Sequence, residues 1–236
     1  GRVTRQRYGA AMAGDTSRVT RWKQRQDQLV ATAAKMPKLR AVPRLVAGVD
    51  CAFSKADDLV FAAAIVWDRQ AKQIVAEASA RRELTVPYIP GYLSFREGPA
   101  VHAALDALGH AFGLVLFDGQ GRAHPRRCGL AVHVGAERGV PSVGVAKSVL
   151  VGAFKEPGVS RGSTSPMTHR GEAVGQVVRT RDRVKPVYVS VGCGVGETLA
   201  VRAVLDCGNG FRLPEPTRQA DRLVARVKAA AVRNRR

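Results

Sequence analysis

Three carboxylates stand in places where a charge is costly. Asp50 interrupts the apolar run from Ala47 to Phe53. Asp118 closes the run Gly-Leu-Val-Leu-Phe, directly before Gly119-Gln120-Gly121. Glu97 lies four residues before Val101, on the inward stripe of a helix marked by Val101, Leu105, Leu108 and Phe112. An unpaired buried carboxylate is expensive. A hard divalent cation, Mg2+ or Mn2+, prefers oxygen donors and would remove that cost. Such a centre activates water and steadies the leaving oxygen of a phosphodiester. Taken singly, two of the acids also have a plainer reading. Glu97 fits a helix N-terminal acid stabilised by the helix dipole, and Asp118 fits a turn before glycine. The order strand, strand, strand, helix with Glu97, strand ending in Asp118 favours catalysis over three separate coincidences.

The elements that must position these residues follow from periodicity. Leu45 to Phe53, Leu59 to Trp67 and Gln73 to Leu84 read as strands joined by short turns, an antiparallel meander. The second is a continuous apolar run, the kind buried on both faces. Pro87-Tyr88-Ile89-Pro90-Gly91 cannot be regular structure. Beyond it the spacing predicts a helix over 97–112, a strand over 113–118, a helix over 126–138 and a strand over 141–146. Further strands are predicted over 172–180 and 186–191, and helices over 197–205 and 217–231. Val19, Trp22, Gln26, Leu29 and Ala33 predict an earlier helix over 18–35, with Thr16 and Ser17 as candidate caps. Residues 155–171, rich in Gly, Ser, Thr and Pro, read as a loop. The class is α/β: a mixed sheet, antiparallel strands first and parallel βα units after, flanked by helices. The expected organisation is a basic flexible arm over 1–15, one domain over 16–232 and a basic tail over 233–236.

Charge points to a partner. The 236 residues carry 38 Lys and Arg against 19 Asp and Glu, a formal +19. Residues 1–47 hold eleven basic and two acidic side chains, and 212–236 hold eight and two. The stretch 48–211 is nearly balanced, nineteen against fifteen. Basic flanks suit a polyanion, because Lys and Arg displace counterions condensed on phosphates. At 45% hydrophobic and 24% charged, wholesale disorder is excluded. The longest apolar run, Leu59 to Trp67, is too short to span a bilayer, and the first residues lack the apolar stretch of a secretory signal. Cys51, Cys128, Cys193 and Cys207 show no CxxC spacing, which fits reduced thiols. The expectation is a cytoplasmic, monomeric protein without a membrane partner.

The strand and helix order resembles ribonuclease H-like nucleases, and the motifs narrow the resemblance. Gly48-Val49-Asp50, Pro87-Tyr88-Ile89-Pro90-Gly91-Tyr92-Leu93-Ser94-Phe95-Arg96-Glu97, Asp118-Gly119-Gln120-Gly121 with His124-Pro125-Arg126, Val145-Ala146-Lys147-Ser148 and Arg212-Leu213-Pro214-Glu215-Pro216-Thr217-Arg218 look like endonuclease V. That resemblance implies Mg2+-dependent incision, with Mn2+ as substitute, at the second phosphodiester 3′ to deoxyinosine and related deaminated bases, leaving 3′-hydroxyl and 5′-phosphate ends. It implies that Asp50, Glu97 and Asp118 hold the metal. Pro87, Tyr88, Ile89 and Pro90 look like the family's wedge, with Tyr88 offering a stacking face. A flipped base would be read by main-chain groups that map to Gly91, Leu93, Gly119 and Gly129. Lys147 would hold the scissile phosphate or its developing charge, and His124 a phosphate or a water.

One departure stands out. Where the family usually has Pro-Gly-His after the late strand, this chain reads Val191-Gly192-Cys193. The resemblance implies that this histidine stands beside the catalytic metal; a thiol in its place is a poor partner for Mg2+, so metal binding is expected to survive while turnover falls. Three readings therefore stay open: a deoxyinosine endonuclease, a weakened relative that binds deaminated nucleic acid without efficient cleavage, and a nuclease acting on inosine in RNA. A general basic RNA-binding protein with structural acids is the plainest alternative.

Overall fold

The computed structural model describes residues 2–54, 56 and 58–233, with side chains from Ser17 onward. Helix α1 (Arg2–Lys35) leads into strands β1 (Leu45–Ser54), β2 (Leu59–Asp68) and β3 (Gln73–Glu83). Then come α2 (Leu93–Ala107), β4 (Leu114–Phe117), α3 (Leu130–Arg138) and β5 (Ser142–Ala146). Strands β6 (Thr164–His169), β7 (Glu172–Val178) and β8 (Val187–Val191) follow, and α4 (Glu197–Asp206) and α5 (Glu215–Arg233) end the order. The eight strands form one sheet, β3-β2-β1-β4-β5-β8-β7-β6. The expected antiparallel meander is β1–β2–β3, and the parallel part is β1–β4–β5. Strands β8, β7 and β6 then return antiparallel.

Strand alternation sorts the core into two layers. Val46, Phe61, Ile65, Leu116 and Val145 pack with Val204, Leu223 and Val224 under α4 and α5. Ala47, Val49, Ala62, Val66 and Phe117 pack with Val101, Leu105 and Val134 under α2 and α3. Strand β2 is buried at all ten positions because helices cover both faces. That is why its sequence shows no polar alternation.

Several boundaries differ from expectation, each for a physical reason. Residues 155–171 include strand β6, hidden by its composition. Pro166 lacks a backbone donor, which a strand tolerates at the sheet edge that β6 occupies. Helix α3 starts at Leu130 rather than 126. Arg127 has φ +58°, and residues 126–128 close around the His124 ring instead. The helix expected over 18–35 lies inside α1, whose backbone is already helical over most of the expected arm. Of the expected tail, residues 234–236 lie outside the described residues.

Candidate metal centre

Strand parity places three of the expected residues on one face. Asp50 follows Val46 and Gly48 on the α5 side of β1. Asp118 continues the alternation of Leu114 and Leu116, and Lys147 that of Val143 and Val145. Parallel pairing of Val49 with Phe117 brings Asp50 beside Asp118, and the Asp118 N–H donates to the Val49 carbonyl at 2.9 Å. These are the carboxyl ends of parallel strands, where α/β sheets place their sites.

A third carboxylate, Asp221 from α5, joins Asp50 and Asp118. Carboxylate oxygens of Asp50, Asp118 and Asp221 all lie within 4.8 Å of one another. Lys147 Nζ stands 2.5 Å from Asp118 Oδ2 and 3.0 Å from Asp221 Oδ1. The sequence reading missed Asp221. Its signal was there: an acid on the same helix face as the buried Thr217 and Leu223–Val224 layer, four residues after Thr217 in the Arg-Leu-Pro-Glu-Pro-Thr-Arg stretch. Glu97, by contrast, stands outside this group. It sits near the start of α2, which packs on the other layer of the core. It still belongs to the same electrostatic unit. Burial pushes its carboxyl up to about 8, and the Asp118 charge adds to the shift.

The same forces act on the clustered acids. Burial, then the neighbouring Asp118 charge, push the Asp50 carboxyl up to about 8, despite the Cys51 N–H that donates to Oδ1 at 2.8 Å. Burial also raises Asp118, against the opposing pull of Lys147. For Lys147 burial works downward, but its bonds and attraction to Asp118 and Asp221 outweigh it and raise the ammonium. Three clustered acids with one lysine leave excess negative charge among hard oxygen donors. That donor set fits Mg2+ or Mn2+.

The proline-rich loop stands next to this edge. Tyr88 is 66% exposed, free to meet a ligand face. Ile89 is half-buried and accepts the Tyr92 N–H in a turn. Pro87 and Pro90 are exposed. Gly91 has φ +84°, which only glycine adopts without strain. Its carbonyl accepts Gln26 Nε2 at 2.9 Å, and the His124 ring bonds its backbone too. His124 is buried, with Nδ1 accepting the backbone N–H groups of Arg126 and Cys128 at 3.2 and 3.4 Å. The ring proton therefore sits on Nε2, and both nitrogens serve the fold. Burial pushes this imidazole down to about 4. The expectation that His124 touches phosphate or water gives way to a clamp between the loop after Asp118 and the proline-rich loop. Gln26, the other arm of the clamp, was legible in sequence only as a helix-face residue.

Leu93 opens α2 and is exposed. Gly119 has φ +155°. Gly129 caps α3 so closely that a Cβ would fall 2.3 Å from the Gln120 carbonyl oxygen. Trp22 stacks on Phe95 at 4.9 Å between ring centroids and tilts against Tyr92, tying α1 to the start of α2.

Cys193 is not at this centre. It is buried among Leu29, Cys128, Val132 and Ala136, its backbone N–H donating to Ser142 Oγ at 3.0 Å. Strand polarity explains the correction. β8 runs antiparallel to β5, with Val143 opposite Val191 and Ala146 opposite Tyr188. Cys193 therefore leaves the sheet at the edge where β5 begins, while Lys147 leaves where β5 ends. A thiol there does not subtract from the metal site.

Comparison with known proteins identifies the family. The family described as Endonuclease V matches residues 26–222. An endonuclease V of Streptomyces coelicolor is 50% identical over 189 residues, covering 80% of this chain and 81% of that protein. The crystal structure of the Streptomyces avermitilis endonuclease V superposes with a TM-score of 0.83 at 43% identity, covering 88% of this chain and 91% of the other. A Ciona intestinalis endonuclease V, solved with DNA containing an inosine followed by a ribo-adenosine, gives 0.76 at 26% identity over 89% and 96%.

Proposed function

From the premise that this chain belongs to the endonuclease V family of nucleases, we propose that it incises DNA at the second phosphodiester 3′ to deoxyinosine and related deaminated bases. The products are 3′-hydroxyl and 5′-phosphate ends. One observation carries the reading: Asp50, Asp118 and Asp221 converge within 4.8 Å beside Lys147, at the exposed end of parallel strands.

Asp50, Asp118 and Asp221 hold the metal in this reading. Mg2+, or Mn2+ in its place, supplies Lewis acidity toward the phosphoryl oxygens. Lys147 places a permanent positive charge where the phosphate develops negative charge. Glu97, buried near the start of α2 and electrostatically coupled to Asp118, is the fourth acid of the metal site in this reading. Pro87 to Pro90 wedge the duplex, Tyr88 stacks in the gap, and the extruded base meets main-chain groups at Gly91, Leu93, Gly119 and Gly129. His124 and Gln26 fix the wedge relative to the Asp118 loop.

The test is a nicking assay on a deoxyinosine duplex with Mg2+, beside an undamaged duplex, a chelator control and Asp118→Ala. Incision one nucleotide beyond the lesion, lost with chelator and with the variant, is expected. Equal cutting of the undamaged duplex, or cutting that survives Asp118→Ala, rejects the reading. A substrate with ribose 3′ to the inosine belongs in the same assay, since the Ciona relative was crystallised with such a strand. Much faster cutting there would shift the assignment to an inosine-specific ribonuclease, because only the 2′-hydroxyl differs.

A further inference from the structure

A second surface lies along the same edge of the sheet. Val178 pairs with Val187 and Ala146 with Tyr188, both antiparallel. The end of β5, the start of β8, the end of β7 and the start of β6 therefore share the edge that carries Lys147. Two loops occupy it, residues 155–163 and 179–186. Buried Arg179 fastens them together. Its Nε donates to the Gly158 carbonyl at 3.0 Å, Nη2 to Pro157 at 3.0 Å and Nη1 to Val184 at 2.6 Å, and Nη2 also pairs with Glu156 at 2.9 Å. The Arg183 N–H closes the loops on the Val159 carbonyl at 2.8 Å.

The result is a cavity of about 550 Å3 lined by Arg161, Thr180, Arg181, Asp182 and Arg183. Arg161 is partly engaged, its Nη2 donating to the Leu205 carbonyl and its backbone N–H to Asp182. Arg181 and Arg183 are exposed, and no hydrogen bond or ion pair occupies their side chains among the described residues. The cavity connects to the metal centre through two bonds. Thr180 Oγ1 donates to the Arg212 carbonyl at 2.5 Å, and Arg212 Nη2 donates to the Lys147 carbonyl at 2.7 Å. Charge is concentrated here. The two loops hold six basic and two acidic side chains, an excess equal to that of the whole stretch 48–211. The rest of that stretch is balanced.

We propose that this arginine-lined groove, with Arg181 and Arg183 as its contacts, grips the sugar-phosphate backbone of the substrate duplex on one side of the incision. The proposal rests on the nuclease reading above and extends it by a defined flank. From β4 or β5 to β7 is two or three strand spacings of about 4.8 Å. At about 3.4 Å of helix axis per base pair, the groove reaches roughly three to four base pairs beyond the scissile phosphate.

The experiment compares wild type with the double variant Arg181→Gln, Arg183→Gln, both exposed positions. Binding is measured as a function of salt on a long deoxyinosine duplex with Ca2+ in place of Mg2+, and incision by single turnover at saturating substrate with Mg2+. The variant should bind about tenfold more weakly near 0.1 M salt, and the slope of log affinity against log salt should fall by about 2. The saturated incision rate should be unchanged. The defect should vanish when one flank, and not the other, is cut to about two base pairs. An unchanged slope, or a defect of equal size on both truncated duplexes, overturns the groove. Failure of the wild type to incise deoxyinosine would instead reject the nuclease reading. The salt slope would still report on the groove.

Discussion

Gly48 and Pro216 touch backbone to backbone: a Cβ on Gly48 would fall 2.1 Å from the Pro216 carbonyl. From that crossing α5 runs five residues to Asp221, about 7.5 Å, and β1 runs two residues to Asp50, about 6.6 Å. The two carboxylates meet because helix and strand cover similar distances from a shared contact. Gly48→Ala must push α5 outward and carry Asp221 with it. Overpacking of this kind costs about 1–3 kcal/mol. We expect weaker Mn2+ binding by calorimetry, together with a lowered thermal midpoint. Wild-type Mn2+ affinity in a folded Gly48→Ala protein would contradict this.

Asp221→Asn removes one of the three clustered carboxylates and one of the two acids that bind Lys147. Metal affinity and incision should each fall at least tenfold, with Asp118→Ala as the floor. Stability of the metal-free protein should not fall, because the substitution relieves repulsion within the acidic group. Retained incision would remove Asp221 from the centre.

The metal-free protein should lose stability as pH rises through neutrality. Asp50 and Glu97 are held at about 8, above their ordinary 3.8 and 4.5, chiefly by burial. Between those values the folded chain keeps protons that the unfolded chain has released, so stability declines with rising pH. His124 acts in the other direction. Held at about 4, below its ordinary 6.5, it favours the folded state as pH rises, but that gain is complete by about 6.5. In chelator, the unfolding free energy read from the denaturant midpoint should therefore fall between pH 6.5 and 8.5, by an amount of order a few kcal/mol. Glu97→Gln should flatten the decline, and Mn2+ should reverse it. A midpoint that rises over this window would show that the two acids are not held high.

Cys193→His should not raise the incision rate. The thiol sits in a small apolar cluster, with burial pushing it up to about 11, and a Cβ on Gly135 would already come within 3.1 Å of its Sγ. An imidazole there overfills the cluster and buries a polar ring, at about 1–3 kcal/mol. The check is a lowered thermal midpoint with unchanged metal affinity. A faster enzyme would return position 193 to the active site.

Gln26→Leu leaves the Gly91 carbonyl to His124 alone. The loop from Pro87 to Gly91 should then sample more conformations, raising KM several-fold with a smaller effect on kcat. Fluorescence of a 2-aminopurine beside the lesion should report weaker base extrusion. Unchanged fluorescence and kinetics would reduce Gln26 to a packing residue.

The sequence by itself determined the meander, the parallel core and two of the three acids that cluster at the sheet edge. Apolar runs of period two and helical stripes are local, and Asp50 and Asp118 stand out inside them as charges among apolar neighbours. Three things were decided only in space. Asp221 looked like one more polar residue on an amphipathic helix until α5 crossed β1 at Gly48. Glu97 shared an inward stripe with the core, but which face of the sheet its helix covers is not written in its spacing. Cys193 was misplaced because strand direction, set by the pairing of β8 with β5, decides which edge a loop leaves from. Periodicity reports how a segment is buried. Only the crossing of segments distant in sequence decides which buried groups meet.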